Sequence, residues 1–338
     1  MTFPLLRLPL LAMDEIFEQA QYSEIFNISV LSERMNRLVR RRKFKQIAKI
    51  CYLFVGNTME VGVEEHSGEC HFLVATAFDE YANLNIHEYK IGGVKSNFKL
   101  DRSASMVFTF LHDWNSEDLV KKSVVRHCSD IFQQHSPIVQ LRITCDQSLS
   151  YHIPIIEGVK EMHMHCEGGE GVFADYASSN YPELSCLRIN GLYRDATRFH
   201  GIDNLFCDQT GPGAMDILRS FTGRYLYLYN SEMSTDDLLE FCRSWQRNEI
   251  CRNQRLLSIQ LNMTLPIFDA ERFLLEFETQ EWDPNVRPGG IFEDVPDMID
   301  ICHFNGPNTE EFRDFQRTDG KWASLLVNDV QLMMIVWD

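Results

Sequence analysis

The amino-acid sequence predicts a mixed α/β fold: a small helical domain, then a β-rich segment, then an irregular leucine-rich-repeat-like open α/β solenoid that ends in a β-hairpin. Three observations predict it. Apolar residues follow helical spacing over the first 50 positions, alternate in short runs between positions 50 and 112, and then recur at offsets i, i+3 and i+5. We expect a helical domain at 1–48, a β-rich segment with a connecting helix at 49–135, and a repeat-like domain at 136–338.

The first part is predicted to consist of short helices. Pro9 suits a first helical turn, and Ser29 is a candidate N-cap for a later helix. The apolar residues at helical spacing are Leu10, Met13, Ile16, Phe17 and Ala20, then Leu31, Met35 and Leu38. Three short helices cannot hide this many apolar side chains from water, so a partner surface is expected.

The second part is predicted to form an antiparallel sheet followed by a helix. Turn signals such as Gly56-Asn57 separate its strand-like runs. The five runs are 51–55, 59–64, 71–78, 86–91 and 105–111. The helix at 116–134 begins with Ser116 and Glu117 and carries apolar residues on neighbouring turns.

The third part contains a weak internal repeat of strand-like units. Its middle positions are Leu141, Met162, Leu187, Leu205, Leu226 and Leu257, which lie 18 to 31 residues apart. Helices are predicted between these strands at 171–180, 212–221, 234–247 and 269–279. Strand–helix–strand units with short connections form parallel sheets, and this irregular spacing is leucine-rich-repeat-like.

The C-terminal end departs from the repeat. The segment Arg317–Lys321 lies between two strand-like runs, 312–316 and 323–327, and contains an Asp-Gly turn signal. A last strand is predicted at 330–337. The segment 283–296 is rich in Pro and Gly and is predicted to be a loop.

Charge is unevenly distributed along the chain. The formal net charge is −17, yet residues 1–50 carry nine basic and five acidic groups, which leaves 23 basic and 44 acidic groups for residues 51–338. An acidic surface repels phosphates, so we expect no nucleic-acid partner. The basic run Arg40–Lys43 is either a solvated helix end, a nuclear-import signal or a contact for an acidic partner.

The expected location is intracellular, in the cytoplasm, the nucleus or both. The longest apolar runs are shorter than a membrane helix requires, and Asp14-Glu15 stand where a signal peptide would have a cleavage site. The ten cysteines are scattered without a CxxC pair, a pattern typical of reduced thiols.

No motif indicates catalysis or a cofactor, and we expect a non-enzymatic protein. Residues 169–174 match G-x-G-x-x-A, but the preceding strand is polar on alternate positions, so an ordinary glycine-rich loop is favoured. His163, His165 and Cys166 would supply ligands from only one strand, so no metal is expected there. His66, Cys70 and His71 flank a turn, which explains their proximity about as well as a metal would.

Both ends of the chain resemble a known family. Residues 3–9 with their Leu-Pro opening, the following helix and residues 31–38 are similar to an F-box. The hairpin at 317–323 and the Val336-Trp337 ending resemble the C-terminus of nematode F-box proteins that carry a type 2 F-box-associated domain.

The resemblance implies a substrate receptor of an SCF-type cullin-RING ubiquitin ligase. Its F-box would bind a Skp-type adaptor, and through it a cullin, while the remainder of the chain recruits a target protein. Because residues 51–338 are acidic, that target is predicted to be basic. The adaptor-binding residues that it implies are Leu6, Leu8, Pro9, Leu11, Ile16, Leu31, Ser32 and Met35.

A second hypothesis is a repeat-type protein-binding scaffold or inhibitor that is not assembled into a ligase. It is favoured by Glu33 and Met35, which stand where the F-box family commonly has Lys and Trp. The two hypotheses differ in whether the first 50 residues bind the adaptor.

Overall fold

The structure is a computed structural model of the 338-residue chain, which divides into two units, Met1–Glu161 and Met162–Asp338. The residues that it describes are 8–78, 87–91, 94–101, 107–113, 115–135, 137–146, 153–167, 172–192, 199, 201–262, 268–281 and 312–337. The predicted loop at 283–296 lies outside them. Among the helices of these residues, none has the length and apolar composition to cross a membrane.

The first unit opens with the predicted short helices. They are α1 (Leu10–Gln19), α2 (Tyr22–Val30) and α3 (Glu33–Arg40). Gln21 and Glu24 form a capping box that begins α2, and the Ser32 side chain caps α3. Ser29 lies inside α2, so its predicted role as an N-cap is wrong. Ser32, three positions further on, accepts the backbone N–H of Met35 and caps α3 instead.

A mixed sheet follows in the same unit. Its strands are β1 (Ile47–Val55), β2 (Thr58–Glu65), β3 (Cys70–Phe78), β4 (His87–Ile91), β5 (Val94–Asp101), β6 (Val107–His112) and β7 (Ile138–Asp146). They are arranged in the order β7-β1-β2-β3-β6-β5-β4. The prediction of an antiparallel sheet is wrong at one position: β3 and β6 are parallel, because β4 and β5 lie on the far side of β6.

The connection from the sheet to β7 contains α4 (Glu117–Phe132), followed by a 3₁₀ turn, Gln133–His135. β1 and β7 are parallel neighbours, and parallel neighbours need a crossover of this kind. The predicted apolar positions of α4 are all buried: Val120, Val124, Cys128, Ile131 and Phe132. The predicted helix is therefore confirmed, and its apolar side is part of the core of this unit.

The second unit alternates strands and helices, as predicted. β8 (Val159–Glu167) begins in the first unit, and the elements after it are α5 (Val172–Asn180), β9 (Cys186–Leu192), β10 (Asn204–Gln209), α6 (Ala214–Ser220), β11 (Tyr225–Ser231), α7 (Thr235–Gln246), β12 (Leu256–Leu261) and α8 (Ala270–Glu276). Strands β9 to β12 are parallel neighbours. The repeat positions Leu187, Leu205, Leu226 and Leu257 lie side by side across them, while the leucine-rich-repeat-like solenoid stays a prediction.

The predicted C-terminal hairpin is confirmed and extends into a meander. Its strands are β13 (Gln280–Glu281), β14 (Arg313–Gln316), β15 (Trp322–Asn328) and β16 (Gln331–Trp337), and β16 pairs antiparallel with β12. Gly320 has a φ of 94° in the turn, a conformation that favours glycine. Arg317 is buried there, with its guanidinium 5.0 Å from the Trp245 ring centroid and two bonds to Asp319.

Candidate functional site

Two leucines of the N-terminal helical region, formed by α1, α2 and α3, project into solvent. Leu11 of α1 is 84% exposed, and Leu31, at the end of α2, is 58% exposed. Met13 and Phe17 of α1 are buried, because they lie on the opposite side of the helix at i, i+4 spacing. Two strongly exposed leucines on one small helical region are the features from which a partner would gain apolar burial.

The remaining predicted adaptor-binding residues differ in exposure. Pro9 is exposed, Leu8 and Ile16 are partly buried, and Leu6 lies outside the described residues. Met35 is only 2% exposed and fills the interior of its own unit. It therefore presents no side-chain surface to a partner, because α3 places residues 35 and 39 on its inner side.

Ser32 positions the residues around it. Its Oγ accepts the backbone N–H of Met35 at 3.2 Å and thereby caps α3. Only one residue, Leu31, separates the end of α2 from this cap. The close junction of the two helices leaves the Leu31 side chain in solvent.

The basic run after α3 separates into two kinds of residue. Arg42 donates to the backbone oxygen of Asp14 at 2.7 Å and lies 5.3 Å from the Phe17 ring centroid, so it holds α1 against the end of α3. Arg40 pairs with Asp130 of α4 at 3.2 Å. Within the described part of the chain, Arg41 and Lys43 are exposed and form no ion pair. Arg40 is also exposed, so what distinguishes these two within the described residues is that no ion pair engages them.

The inner side of α2 packs against the rest of the first unit. The Phe26 ring is fully buried, with its centroid 6.4 Å from Phe110 of β6 and 5.4 Å from His127 of α4. The rest of the chain therefore buries part of the apolar surface for which the sequence predicts a partner, and the partner itself stays a prediction. The chain's own sheet and α4 cover the inner side of α2, and among the described large apolar side chains of α1 to α3 and their junctions Leu11 and Leu31 are exposed.

Ser29 of α2 forms the polar part of this contact. Its Oγ donates to the Phe26 carbonyl oxygen and lies 2.7 Å from His127 Nε2. Burial lowers the pKa of His127 from its ordinary value of 6.5 to about 4, so the ring is neutral at physiological pH. Sequence periodicity predicted the apolar side of α4 but not the role of His127, since its partner Ser29 lies 98 positions away.

The two groups of histidines and cysteines that were considered as metal ligands lie in different surroundings. His165 Nδ1 lies 2.7 Å from the Asn190 side-chain nitrogen, so the two form a hydrogen bond on the sheet. The Cys166 side chain and residues 169–171 lie outside what the structure describes. Elsewhere the described residues bring together Glu65, Glu69 and His71, whose potential ligand atoms all lie within 4.8 Å of one another. Of the histidine and cysteine set at this turn, only His71 belongs to the cluster.

Comparison with known proteins identifies one region. Residues 5–47 match the F-box domain family, which confirms the resemblance of the first part of the chain to an F-box. In searches of curated proteins and of solved structures, no match was found. The F-box match covers α1, α2 and α3, and both exposed leucines lie within it.

Proposed function

We propose that the protein is the substrate-recognition adaptor of an SCF-type cullin-RING ubiquitin ligase. The F-box match at residues 5–47 is the observation that carries this proposal. F-box domains typically bind Skp-type adaptors, which connect them to cullins. An F-box indicates a role in substrate recognition within such ligases.

The proposed adaptor-binding surface is centred on Leu11 and Leu31. Leu8, Pro9 and Ile16 are the other described candidates for this surface, and each is exposed or partly buried. Transfer of each leucine from water to an apolar interface would contribute about 1.5–3 kcal/mol. Ser32 supports the surface through its cap on α3, and Met35 supports it from the interior.

The proposed target-recruiting region is residues 136–338, as a type 2 F-box-associated domain of the kind found in nematode F-box proteins. Arg317 is buried and Gly320 has a positive φ, so both residues have structural roles in the hairpin. These roles support the resemblance of the 317–323 segment to the C-terminus of those proteins. Because residues 51–338 are strongly acidic, a basic target is proposed. Binding of a basic target should then weaken as salt rises.

The test is adaptor binding by the full-length chain. The double variant Leu11→Asp/Leu31→Asp removes both exposed leucines, and Leu275→Asp is the matched control because Leu275 of α8 is 81% exposed in the second unit. Loss of about 3–6 kcal/mol of apolar burial predicts an adaptor affinity at least 100-fold weaker for the double variant. The control should bind like the wild type.

The full chain is used because α2 packs on β6 and α4, so the F-box alone would lack its own support. Unchanged affinity of the double variant would rule out this surface. Absence of adaptor binding by the folded wild type at micromolar concentrations would instead favour the second candidate, a protein-binding scaffold outside any ligase. Glu33 and Met35, at positions where F-boxes commonly have Lys and Trp, are what favour that candidate.

A further inference from the structure

The hairpin between β2 and β3 carries three potential metal ligands on one side. Glu65 ends β2, Glu69 immediately precedes β3, and His71 is the second residue of β3. The Glu65 N–H donates to the Glu69 carbonyl oxygen at 2.9 Å, and His71 pairs with Val63. Since side chains alternate along a strand, Glu65, Glu69 and His71 all lie on the same side of the hairpin.

The three ligand atoms converge around His71 Nε2. This nitrogen lies 3.7 Å from Oε1 of Glu65 and 3.7 Å from Oε1 of Glu69. It is buried and, among the described residues, has no hydrogen-bond partner. Both distances are within ion-pair range but exceed the length of a hydrogen bond, so the nitrogen faces two carboxylates without a hydrogen bond to either.

The spacing of these atoms fits a small cation. Three atoms separated by 3.7, 3.7 and at most 4.8 Å lie on a circle with a radius of roughly 2.4 Å or less. Zinc–nitrogen and zinc–oxygen bonds are about 2.0–2.2 Å long. A shift of a few tenths of an ångström, chiefly in the exposed Glu69 side chain, would place all three atoms at bonding distance.

Neighbouring groups hold the first carboxylate in place. The Tyr22 hydroxyl of α2 donates to Glu65 Oε1 at 2.7 Å, and Ser67 Oγ donates to Glu65 Oε2 at 3.3 Å. The Tyr22 ring centroid also lies 5.1 Å from that of His71. Partners of this kind orient metal ligands and are a regular part of metal sites.

We propose that Glu65, Glu69 and His71 bind a Zn²⁺ ion at the contact between α2 and the β2–β3 hairpin, with water completing the coordination. An imidazole nitrogen beside two carboxylates favours Zn²⁺ over Mg²⁺ and Ca²⁺, which prefer oxygen ligands alone. Cys70 pairs with Glu64 and therefore belongs to the opposite alternation of the strand, and His66 lies in the turn after β2; neither belongs to the cluster. Through the Glu65–Tyr22 bond, the ion stabilises the position of α2 against the hairpin.

The test is Zn²⁺ binding by the full-length chain after removal of metal with a chelator. Isothermal titration with ZnCl₂ compares the wild type with Glu69→Gln and His71→Gln, and His66→Gln is the matched control from the same turn. We expect a site whose affinity falls at least tenfold in each of the first two variants and is unchanged in the control. Zn²⁺ bound by thiols elsewhere is common to all four proteins and cancels in the comparison.

The exposure of Glu69, 69% for its side chain, makes Glu69→Gln the variant that decides the outcome if His71→Gln fails to fold. In chelator, Glu69→Gln should unfold at the wild-type temperature, and added ZnCl₂ should raise the unfolding temperature of the wild type more than that of the variant. Equal titrations of the wild type and Glu69→Gln would overturn the proposal. So would displacement of Zn²⁺ by equimolar MgCl₂ or CaCl₂.

Discussion

Ser29 of α2 and His127 of α4 are joined by a hydrogen bond of 2.7 Å between Oγ and Nε2, across 98 positions of sequence. The Ser29 hydroxyl hydrogen is already donated to the Phe26 carbonyl oxygen, so His127 must be the donor and carries its proton on Nε2. The Phe26 ring stands edge-on to the imidazole at 88°. This buried contact attaches the F-box to the sheet and helix that follow it within the first unit.

The first prediction concerns the pH dependence of stability. Unfolded His127 takes up a proton near its ordinary pKa of 6.5, whereas the folded residue resists protonation down to a pKa of about 4. The unfolded state therefore binds more protons between these values, and stability falls as the pH drops from 6.5 to 4. The full loss is about 3 kcal/mol, at about 1.4 kcal/mol per unit of pKa.

Urea denaturation followed by circular dichroism at several pH values measures this loss. His127→Gln keeps an N–H donor for Ser29 and does not titrate, so its unfolding free energy should fall less steeply over the same interval. If the unfolding free energies of the wild type and His127→Gln fall equally with pH, His127 is not the group responsible for the loss.

The second prediction concerns Ser29. Ser29→Ala leaves the buried Nε2–H of His127 without an acceptor, which should lower the unfolding free energy by about 1–3 kcal/mol. Ser179→Ala, in the exposed part of α5, is the matched control and should change it by less than about 0.5 kcal/mol. Denaturation of both variants at neutral pH distinguishes these outcomes. Equal unfolding free energies for Ser29→Ala and the wild type would show that the Ser29–His127 hydrogen bond does not stabilise the protein.

The third prediction concerns a buried ion pair. Lys121 Nζ lies 2.5 Å from Glu117 Oε1, and both side chains are almost completely shielded from solvent. Lys121→Met leaves the carboxylate without its partner and should destabilise the protein by about 3–5 kcal/mol. Glu117→Leu/Lys121→Met removes both charges and should recover most of that loss. If the double variant loses as much unfolding free energy as the two single variants lose together, the two residues do not act as a pair.

The fourth prediction concerns Arg317. Lysine cannot form both of the bonds that the guanidinium makes to Asp319 or place a guanidinium over the Trp245 ring, so Arg317→Lys should lower the unfolding free energy by about 2 kcal/mol. Lys321→Arg, at an exposed position of the same turn, is the control. Denaturation followed by tryptophan fluorescence measures both variants.

A second measurement reports on the same contact. The Arg317 hydrogen bonds lower the pKa of Asp319 to about 2, so its stabilising contribution is present above pH 3.8 and is lost as the pH falls towards 2. In Arg317→Lys this pKa should rise towards its ordinary value. Nuclear magnetic resonance titration of the Asp319 carboxyl would detect the rise, and an unchanged pKa would mean that Arg317 does not hold the carboxylate.

Much of the secondary structure could be predicted, because local periodicity determines which side of an element is apolar. The positions Leu187, Leu205, Leu226 and Leu257 were identified from their spacing alone, and they lie side by side in parallel strands. Strand β5 was missed, since Val94–Asp101 contains only three apolar residues and is otherwise polar. It is a strand because it pairs with β4 and β6, which no local pattern encodes.

The candidate surface could be predicted only in part. The F-box segment indicated Leu11 and Leu31, which are exposed, but also Met35, which is buried. Which apolar side chains remain exposed depends on what the rest of the chain covers, and the packing of α2 on β6 and α4 was not visible in the first 50 residues.

By itself, the sequence determined the short N-terminal helices, the F-box segment, the strand–helix alternation and the C-terminal hairpin, because each depends on residues within a few positions of one another. The tertiary structure alone decided the parallel pairing of β3 with β6, the Ser29–His127 bond and the attachment of Tyr22 to the hairpin that carries Glu65 and His71. These features join side chains that are far apart in the chain. Periodicity shows which side of an element is buried, but it does not show which distant element that side will contact.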